Sequence, residues 1–167
     1  MELKELKGDL LSSKCDVICH QVNCQGVMNF GVSKAIRKKY TRAFEQYSRF
    51  VYNNTFVVNG KKQNTSEFLG LCQISKMEGE ERYIASLYGQ DEYGRDDKQY
   101  TNYNALLCSL FALRRLVLFG GYNIHSLAFP YGMGCDKGGG GKWEKVFEMI
   151  DAVFNDLDVT IEIWKMN

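Results

Sequence analysis

The spacing of apolar residues switches repeatedly along the chain between a period of two and a period of three to four. The shorter period predicts strands at residues 3–6, 17–22, 69–74, 83–88, 126–129 and 159–164. The longer spacing predicts helices at residues 31–40, 43–51, 101–119 and 143–154. A hairpin is predicted around the Asn59-Gly60 pair. This alternation is typical of an α/β domain in which helices cover one central sheet.

Length and charge limit what such a domain does. The chain has 167 residues, the size of one ordinary domain, so a single domain over residues 1–167 is predicted. Lysine and arginine number 21 and aspartate and glutamate 20, and the net charge of +1 supplies no global field for nonspecific nucleic-acid binding. A bound anion must therefore be held locally. One alternative remains open: the basic residues between 34 and 42 form either a solvated helix face or a nucleic-acid-binding face.

Targeting and metal signals are weak in this sequence. No run of eighteen uncharged apolar residues occurs, so no membrane association is expected. The six cysteines lie largely in apolar runs, which favours reduced thiols and a cytoplasmic location. Cys15 and Cys19 are four residues apart along a strand, a spacing that does not bring metal ligands together. We expect no metal, no cofactor and a monomeric protein.

Two glycine-bearing segments each lead from a predicted strand into a predicted helix, at residues 23–31 and 130–141. In α/β sheets, ligands bind beyond the carboxyl ends of the strands, and helix N-termini offer unpaired amides and a positive dipole end to anions. Two such segments suit a diphosphate. The second segment is not a Walker motif, because Asp136 and Trp143 stand where that motif requires glycine and serine or threonine.

Three motifs occur in order along the chain: GDL at residues 8–10, HQVNCQGVMNFGV at 20–32, and AFPYGMGC at 128–135, the last followed by Trp143. Together they resemble the motifs of the macrodomains, a family of ADP-ribose-binding modules. The histidine-bearing segment and the Gly134-Cys135 pair are most similar to the subclass that contains terminal ADP-ribose glycohydrolases and ADP-ribose phosphatases. The resemblance implies a three-layer α/β/α fold with a mixed central sheet.

The resemblance also implies how the ligand is held. Asp9 would accept a hydrogen bond from the adenine amino group, Trp164 would form an aromatic wall, and Asn23 would bond the distal ribose. The full set of implied ligand-binding residues is Asp9, Leu10, Asn23, Gly26, Val27, Met28, Gly31, Val32, Pro130, Tyr131, Gly132, Met133, Gly134, Cys135 and Trp164. The implied partner is ADP-ribose or an ADP-ribosylated target, with nucleic acid only where it carries ADP-ribose.

Catalysis at the distal ribose, which would remove a phosphate, acyl or ADP-ribosyl group, is the implied activity. The lysine that glycohydrolases of this subclass use is absent from the matching segment at residues 88–91. In the phosphatase members a histidine matching His20 is implicated, so the resemblance implies His20 with Asp136, or alternatively with Asp91, as the acid–base pair. The alternative is a reader module that binds ADP-ribose without turning it over.

Overall fold

A computed structural model gives the fold and describes residues 1–135 and 138–167. The strands are β1 Glu2–Lys7, β2 Val17–Val22, β3 Phe56–Val58, β4 Lys61–Gln63, β5 Cys72–Lys76, β6 Tyr83–Tyr88, β7 Ser126–Pro130 and β8 Thr160–Lys165. The α-helices are α1 Gly31–Lys39, α2 Thr41–Asn53, α3 Tyr103–Phe119 and α4 Trp143–Phe154. Short 3₁₀ turns span Leu10–Ser12 and Thr65–Phe68.

Six strands form one mixed sheet in the order β1-β8-β7-β2-β6-β5. Every neighbouring pair is parallel except β5 with β6, which is antiparallel. Strands β3 and β4 form a separate two-stranded hairpin, where Asn59-Gly60 predicts one. Because the parallel strands need crossover connections, the helices lie against the faces of the sheet.

Alternate side chains of β2 pack into different apolar clusters. Val17 and Cys19 pack in a cluster with residues of α3 and α4. Ile18 belongs to a second cluster with Ile36 of α1 and Ala43 of α2. Since successive strand side chains point to opposite faces, the two helix pairs cover opposite sides of the sheet. The predicted three-layer α/β/α fold with a mixed sheet is confirmed.

The predicted starts of two elements are wrong. The helix predicted at residues 101–119 begins at Tyr103, after its cap Asn102, whose Oδ1 accepts from the amide of Ala105 at 3.0 Å. Thr101 instead directs its hydroxyl to the carbonyl of Gly134 at 2.6 Å. The strand predicted at 69–74 begins at Cys72, because the preceding apolar residues follow the 3₁₀ turn and pack from a loop.

Several features outside the sheet bear on location and ligands. None of the described helices is long and apolar enough to cross a bilayer. Across residues 1–135 and 138–167, His, Cys, Asp and Glu side chains form no group of three or more that could hold a metal ion. Cys15, Cys19 and Cys24 are buried free thiols.

The centre of the sheet separates at its carboxyl end. Strand β2 pairs with β6 over its full length, from Val17 to Val22, but with β7 only at Val17 and Ile18. Beyond these residues the two strands diverge, as neighbouring strands do where the strand order reverses in α/β sheets. The gap between the ends of β2 and β7 is where a ligand site is expected.

Candidate functional site

A cavity of about 490 Å³ opens between the diverging ends of β2 and β7. Three segments surround it: the first loop, residues 23–30, which follows β2; the middle loop, residues 89–101, which follows β6; and the glycine-rich loop, described at residues 131–135 and 138–142, which follows β7. All three leave the carboxyl ends of parallel strands. The cavity therefore lies at the position that α/β sheets use for ligands.

Asn23 organises the first loop from within. Its Oδ1 accepts from the amide of Gln25 at 2.9 Å and from the hydroxyl of Tyr47 at 2.8 Å. Its Nδ2 donates to the carbonyl of Val27 at 2.8 Å. Tyr47 is fully buried in α2, so it anchors this loop to the core. A primary amide has two donor hydrogens, and the second one of Asn23 Nδ2 finds no acceptor among the described residues.

Asp91 joins the first loop to the middle loop. Its carbonyl accepts from the amide of Cys24 at 2.9 Å. Its Oδ1 accepts from Thr65 Oγ1 at 2.7 Å and from Gln25 Nε2 at 3.0 Å. The carboxylate does not line the cavity. These contacts describe a structural role for Asp91, and the alternative acid–base role stays a prediction.

Helix α1 presents an uncapped N-terminus to the cavity. Its N-cap residue, Phe30, makes no side-chain hydrogen bond, and the first turn contains no acidic residue. Gly31, Val32 and Ser33 all line the cavity. Within the described part of the chain, no acceptor faces their amides. An N-terminus of this kind attracts anions through its free N–H groups and its dipole.

The glycine-rich loop turns its carbonyls into the protein. Thr101 Oγ1 donates to the carbonyl of Gly134 at 2.6 Å, and Gln90 Nε2 donates to that of Gly138 at 2.7 Å. The amide of Thr101 also donates to the carbonyl of Gly139, at 2.7 Å. Residues of the middle loop therefore engage three carbonyls of the glycine-rich loop.

The amides of Gly132 and Gly134 belong to this loop. Gly132 and Gly134 line the cavity, and among the described residues their N–H groups find no acceptor. At Gly134 φ is 75°, and a Cβ there would lie 2.9 Å from Gln21 Oε1. Glycine is therefore required at this position for both conformation and space.

Arg95 supplies the one full charge among the described residues that line the cavity. Its guanidinium carbon lies 4.8 Å from the ring centre of Phe30. The Phe30 ring in turn contacts that of Tyr93, with 5.8 Å between ring centres. This cluster joins the first loop to the middle loop and places a cation beside free amides. The described walls thus favour an anionic ligand with apolar or aromatic parts.

His20 is buried, at 1% exposure, in the middle of a hydrogen-bonded chain. Its Nδ1 lies 3.0 Å from Ser33 Oγ and its Nε2 lies 3.0 Å from Ser86 Oγ. Burial lowers the pKa of His20 from its usual 6.5 to about 3. Above that pH the imidazole is neutral, with both nitrogens already bonded.

Asp9 and Trp164 lie at the same end of the sheet but outside the cavity. Asp9 is exposed, and its Oδ1 accepts from the amide of Leu11 at 2.9 Å. Trp164 is half-buried and packs in one cluster with Val32. Its carbonyl accepts from the amide of Tyr131 at 2.8 Å. The two residues therefore border the cavity's β8 side.

The predicted ligand-binding residues divide into two groups. Those that line the cavity, together with His20, are Asn23, Val27, Gly31, Val32, Pro130, Tyr131, Gly132, Met133 and Gly134. Those that do not are Asp9, Leu10, Gly26, Met28, Cys135 and Trp164. The Met28 side chain is fully buried in an apolar cluster, so it offers a ligand only its backbone. Asp136 lies outside the described residues.

From the middle loop, sequence reasoning named only Asp91. It missed the residues of this loop that line the cavity, which are Gln90, Tyr93, Gly94 and Arg95. The available signal was indirect: a strand was predicted at residues 83–88, but its place beside β2 follows from the strand order. Ser33 was missed as well, since serine in a predicted helix is an ordinary surface residue.

No protein-family model and no curated protein matches the sequence. Solved structures do match the fold. The macrodomain of Mycobacterium tuberculosis DarG is 22% identical with a TM-score of 0.76, and the match covers 97% of this chain and 96% of that one. A macrodomain protein from Streptomyces coelicolor is 19% identical with a TM-score of 0.71, covering 98% of each chain. This chain has the macrodomain fold.

A third match is Thermosipho africanus DarTG in complex with ADP-ribose, 15% identical with a TM-score of 0.77. The match covers 99% of this chain and 42% of that larger one. Similarity at these identities establishes the macrodomain fold and leaves the ligand to be argued from the site. The macrodomain motifs at residues 20–32 and 128–135 supply two of the three segments that surround the cavity.

Proposed function

We propose that the cavity binds ADP-ribose. The observation that carries the proposal is the set of backbone amides without protein acceptors at the N-terminus of α1 and in the glycine-rich loop, which face one cavity from two sides. Two sets of amides suit the two phosphates of a diphosphate. The Thermosipho africanus structure with the same fold, which contains ADP-ribose, supports the choice of ligand.

The residues that line and border the cavity indicate how ADP-ribose is oriented in it. The diphosphate lies between the α1 amides and Gly132. The distal ribose lies at the first loop, where Asn23 keeps a free Nδ2 hydrogen. The adenine extends toward Asp9 and Trp164 on the β8 side. This orientation agrees with the roles that the macrodomain motifs imply.

Calorimetry tests both the ligand and its direction. ADP-ribose is expected to bind more tightly than the analogue in which hypoxanthine replaces adenine. Hypoxanthine lacks the amino group from which Asp9 would accept a hydrogen bond. Losing a hydrogen bond to a charged group costs about 1.5 to 3 kcal/mol. Asp9→Asn should remove most of this discrimination while keeping an acceptor for the amide of Leu11.

Two results of that experiment would count against the proposal. Absence of heat with ADP-ribose would remove the proposed ligand altogether. If the wild-type protein bound the two nucleotides with equal affinity, ADP-ribose would remain the ligand, but its adenine would not lie beside Asp9.

Hydrolysis at the distal ribose is the activity proposed for the bound ligand. The acid–base pair implied by the resemblance, His20 with Asp136, stays a prediction. A neutral imidazole with both nitrogens bonded is a poor general acid near pH 7, and Asp136 lies outside the described residues. Release of ADP-ribose from its phosphorylated, acylated or protein-linked derivatives, followed by mass spectrometry, tests the activity.

His20→Ala separates the possible roles in that assay. A proton-transfer role predicts a fall in turnover of about 100-fold or more with little change in affinity. If the wild-type protein binds ADP-ribose and releases no product from any derivative, the reader function is supported instead.

Nucleic-acid binding by α1 is disfavoured by the contacts of two of its four basic residues, Arg37 and Lys39. Arg37 donates to Asn29 Oδ1 at 2.8 Å and lies 4.2 Å from the ring centre of Phe44. Lys39 donates to the carbonyl of Leu11 at 3.0 Å. These side chains are held against the protein itself. A weak dependence of any nucleic-acid binding on salt would agree with this interpretation.

The proposal includes a cytoplasmic, single-domain monomer. The buried free thiols Cys15, Cys19 and Cys24 are typical of a reducing compartment. Light scattering checks the monomer, for which a mass near 19.2 kDa is expected.

A further inference from the structure

Ser33 occupies an unusual place for a helix serine. It is the third residue of α1, is half-buried and lines the cavity beside the amides that have no protein acceptor. Its hydroxyl also touches His20 at 3.0 Å, and through His20 it connects to Ser86 in the buried sheet. A polar chain of three side chains therefore runs from the core to the cavity wall.

One placement of the polar hydrogens on Ser33, His20 and Ser86 gives each donor an acceptor. Within the described residues, the Ser86 hydroxyl has no acceptor other than His20 Nε2. Ser86 therefore donates to Nε2, and the imidazole carries its hydrogen on Nδ1, which donates to Ser33 Oγ. The opposite tautomer would leave the buried Ser86 hydroxyl hydrogen without an acceptor among the described residues, which is unfavourable.

In that arrangement the Ser33 hydroxyl hydrogen points away from the imidazole. Its only protein acceptor among the described residues is the carbonyl of Gln21, at a distance of 3.4 Å. This is a long contact for a hydroxyl donor, whose usual distance is about 2.7 to 2.8 Å. The Ser33 hydroxyl hydrogen is thus oriented, makes only a weak hydrogen bond to the protein, and lies next to the N-terminus of α1.

We propose that Ser33 is a ligand-binding residue whose hydroxyl donates to a phosphate oxygen of the bound diphosphate, and that His20 and Ser86 are positioning residues that hold it as a donor. The assignment rests on the proposed function, since it requires an ADP-ribose diphosphate at the N-terminus of α1. It assigns His20 a fixed tautomer and no proton transfer. The affinity for ADP-ribose, and not turnover alone, then depends on the hydrogen bonds that join Ser33, His20 and Ser86.

The test is calorimetry with ADP-ribose on matched serine variants. Ser33→Ala is expected to weaken binding about 10-fold or more, the usual loss for a hydrogen bond to a charged group. Ser48→Ala is the control, because Ser48 is a half-buried serine of α2 that lines a different cavity. It should bind as the wild type does. Ser33→Thr, which keeps a hydroxyl, should recover most of the affinity.

Ser86→Ala tests whether Ser86 positions His20 and Ser33. Ser86 does not line the cavity, so the variant removes no direct contact with the ligand. Without Ser86 the imidazole is free to take the other tautomer and to accept the Ser33 hydrogen. Binding should weaken, and adding Ser33→Ala should weaken it little further, because both changes remove one donor. Nitrogen-15 spectra should show His20 protonated on Nδ1 in the wild-type protein.

The outcomes separate the two proposals. If the wild-type protein does not bind ADP-ribose, the proposed function fails. If it binds and Ser33→Ala binds equally well, only the role of Ser33 fails. A wild-type His20 protonated on Nε2, or fully additive losses for Ser33→Ala and Ser86→Ala, would overturn the positioning role while leaving ADP-ribose binding intact.

Discussion

Gly139→Ala is expected to lower the affinity for ADP-ribose by about 10- to 100-fold, because the glycine-rich loop has no room for a methyl group at this position. A Cβ on Gly139 would lie 2.8 Å from the carbonyl carbon of Gly134 and 2.8 Å from Thr101 Oγ1. Neither neighbour can give way freely, since Thr101 Oγ1 donates to the carbonyl of Gly134 at 2.6 Å. The loop would move, and its amides would leave the diphosphate.

The adjacent glycine provides the control for this experiment. Gly138 also lines the cavity, but a Cβ there would meet no atom of the described residues within 4 Å, its chain neighbours aside. Gly138→Ala should therefore keep an affinity within a few-fold of that of the wild-type protein, and both variants should keep the wild-type melting temperature within a few degrees. Equal affinities of the two variants, measured by calorimetry, would mean that the geometry of this loop does not control binding.

The regular elements of the fold were accessible from the sequence because each has a clear apolar period. Strands at 17–22 and 83–88 and the helix at 143–154 were predicted with the observed bounds. Local signals were weaker at the element ends. Asn102 and Thr101 are both good N-cap residues, and only the position of Gly134 decides that Thr101 bonds the loop while Asn102 caps α3.

The candidate site was accessible in part. The first loop and the glycine-rich loop were predicted because glycines between a strand and a helix are a local signal. The middle loop carries no comparable signal: Tyr93 and Arg95 stand in a polar stretch that resembles any surface connection. Their importance arises from strand order, which brings the end of β6 beside that of β2.

The environment of His20 could not be predicted from sequence spacing. Ser33 is 13 residues away along the chain and Ser86 is 66 residues away. The contact with Ser86 depends on the parallel register of β2 and β6, in which His20 is directly paired with Ser86. A histidine at a strand end beside a ligand loop therefore suggested catalysis, whereas its contacts describe a buried, neutral hydrogen-bonding group.

The buried His20 is also expected to make the protein less stable as the pH falls from 7 to 5. Burial holds the pKa of His20 at about 3 in the folded protein, against a usual 6.5. Between these values the unfolded chain binds a proton that the folded protein does not, so the free energy of unfolding decreases as the pH falls. At pH 5 the loss from this residue should reach about 2 kcal/mol relative to pH 7.

Urea unfolding at pH 5, 6 and 7 measures this loss. The chain has two histidines, so the parent protein for the comparison is His125→Gln, in which His20 is the sole histidine. Adding His20→Gln should lower the stability at pH 7, because the bonds to Ser33 and Ser86 change, yet it should remove most of the dependence on pH over this range. Carboxylates titrate in both proteins and cancel in the difference. If the free energy of unfolding depended on pH equally in the two proteins, His20 would take up a proton in the folded state. It would then titrate near neutral pH, as a general acid–base role requires.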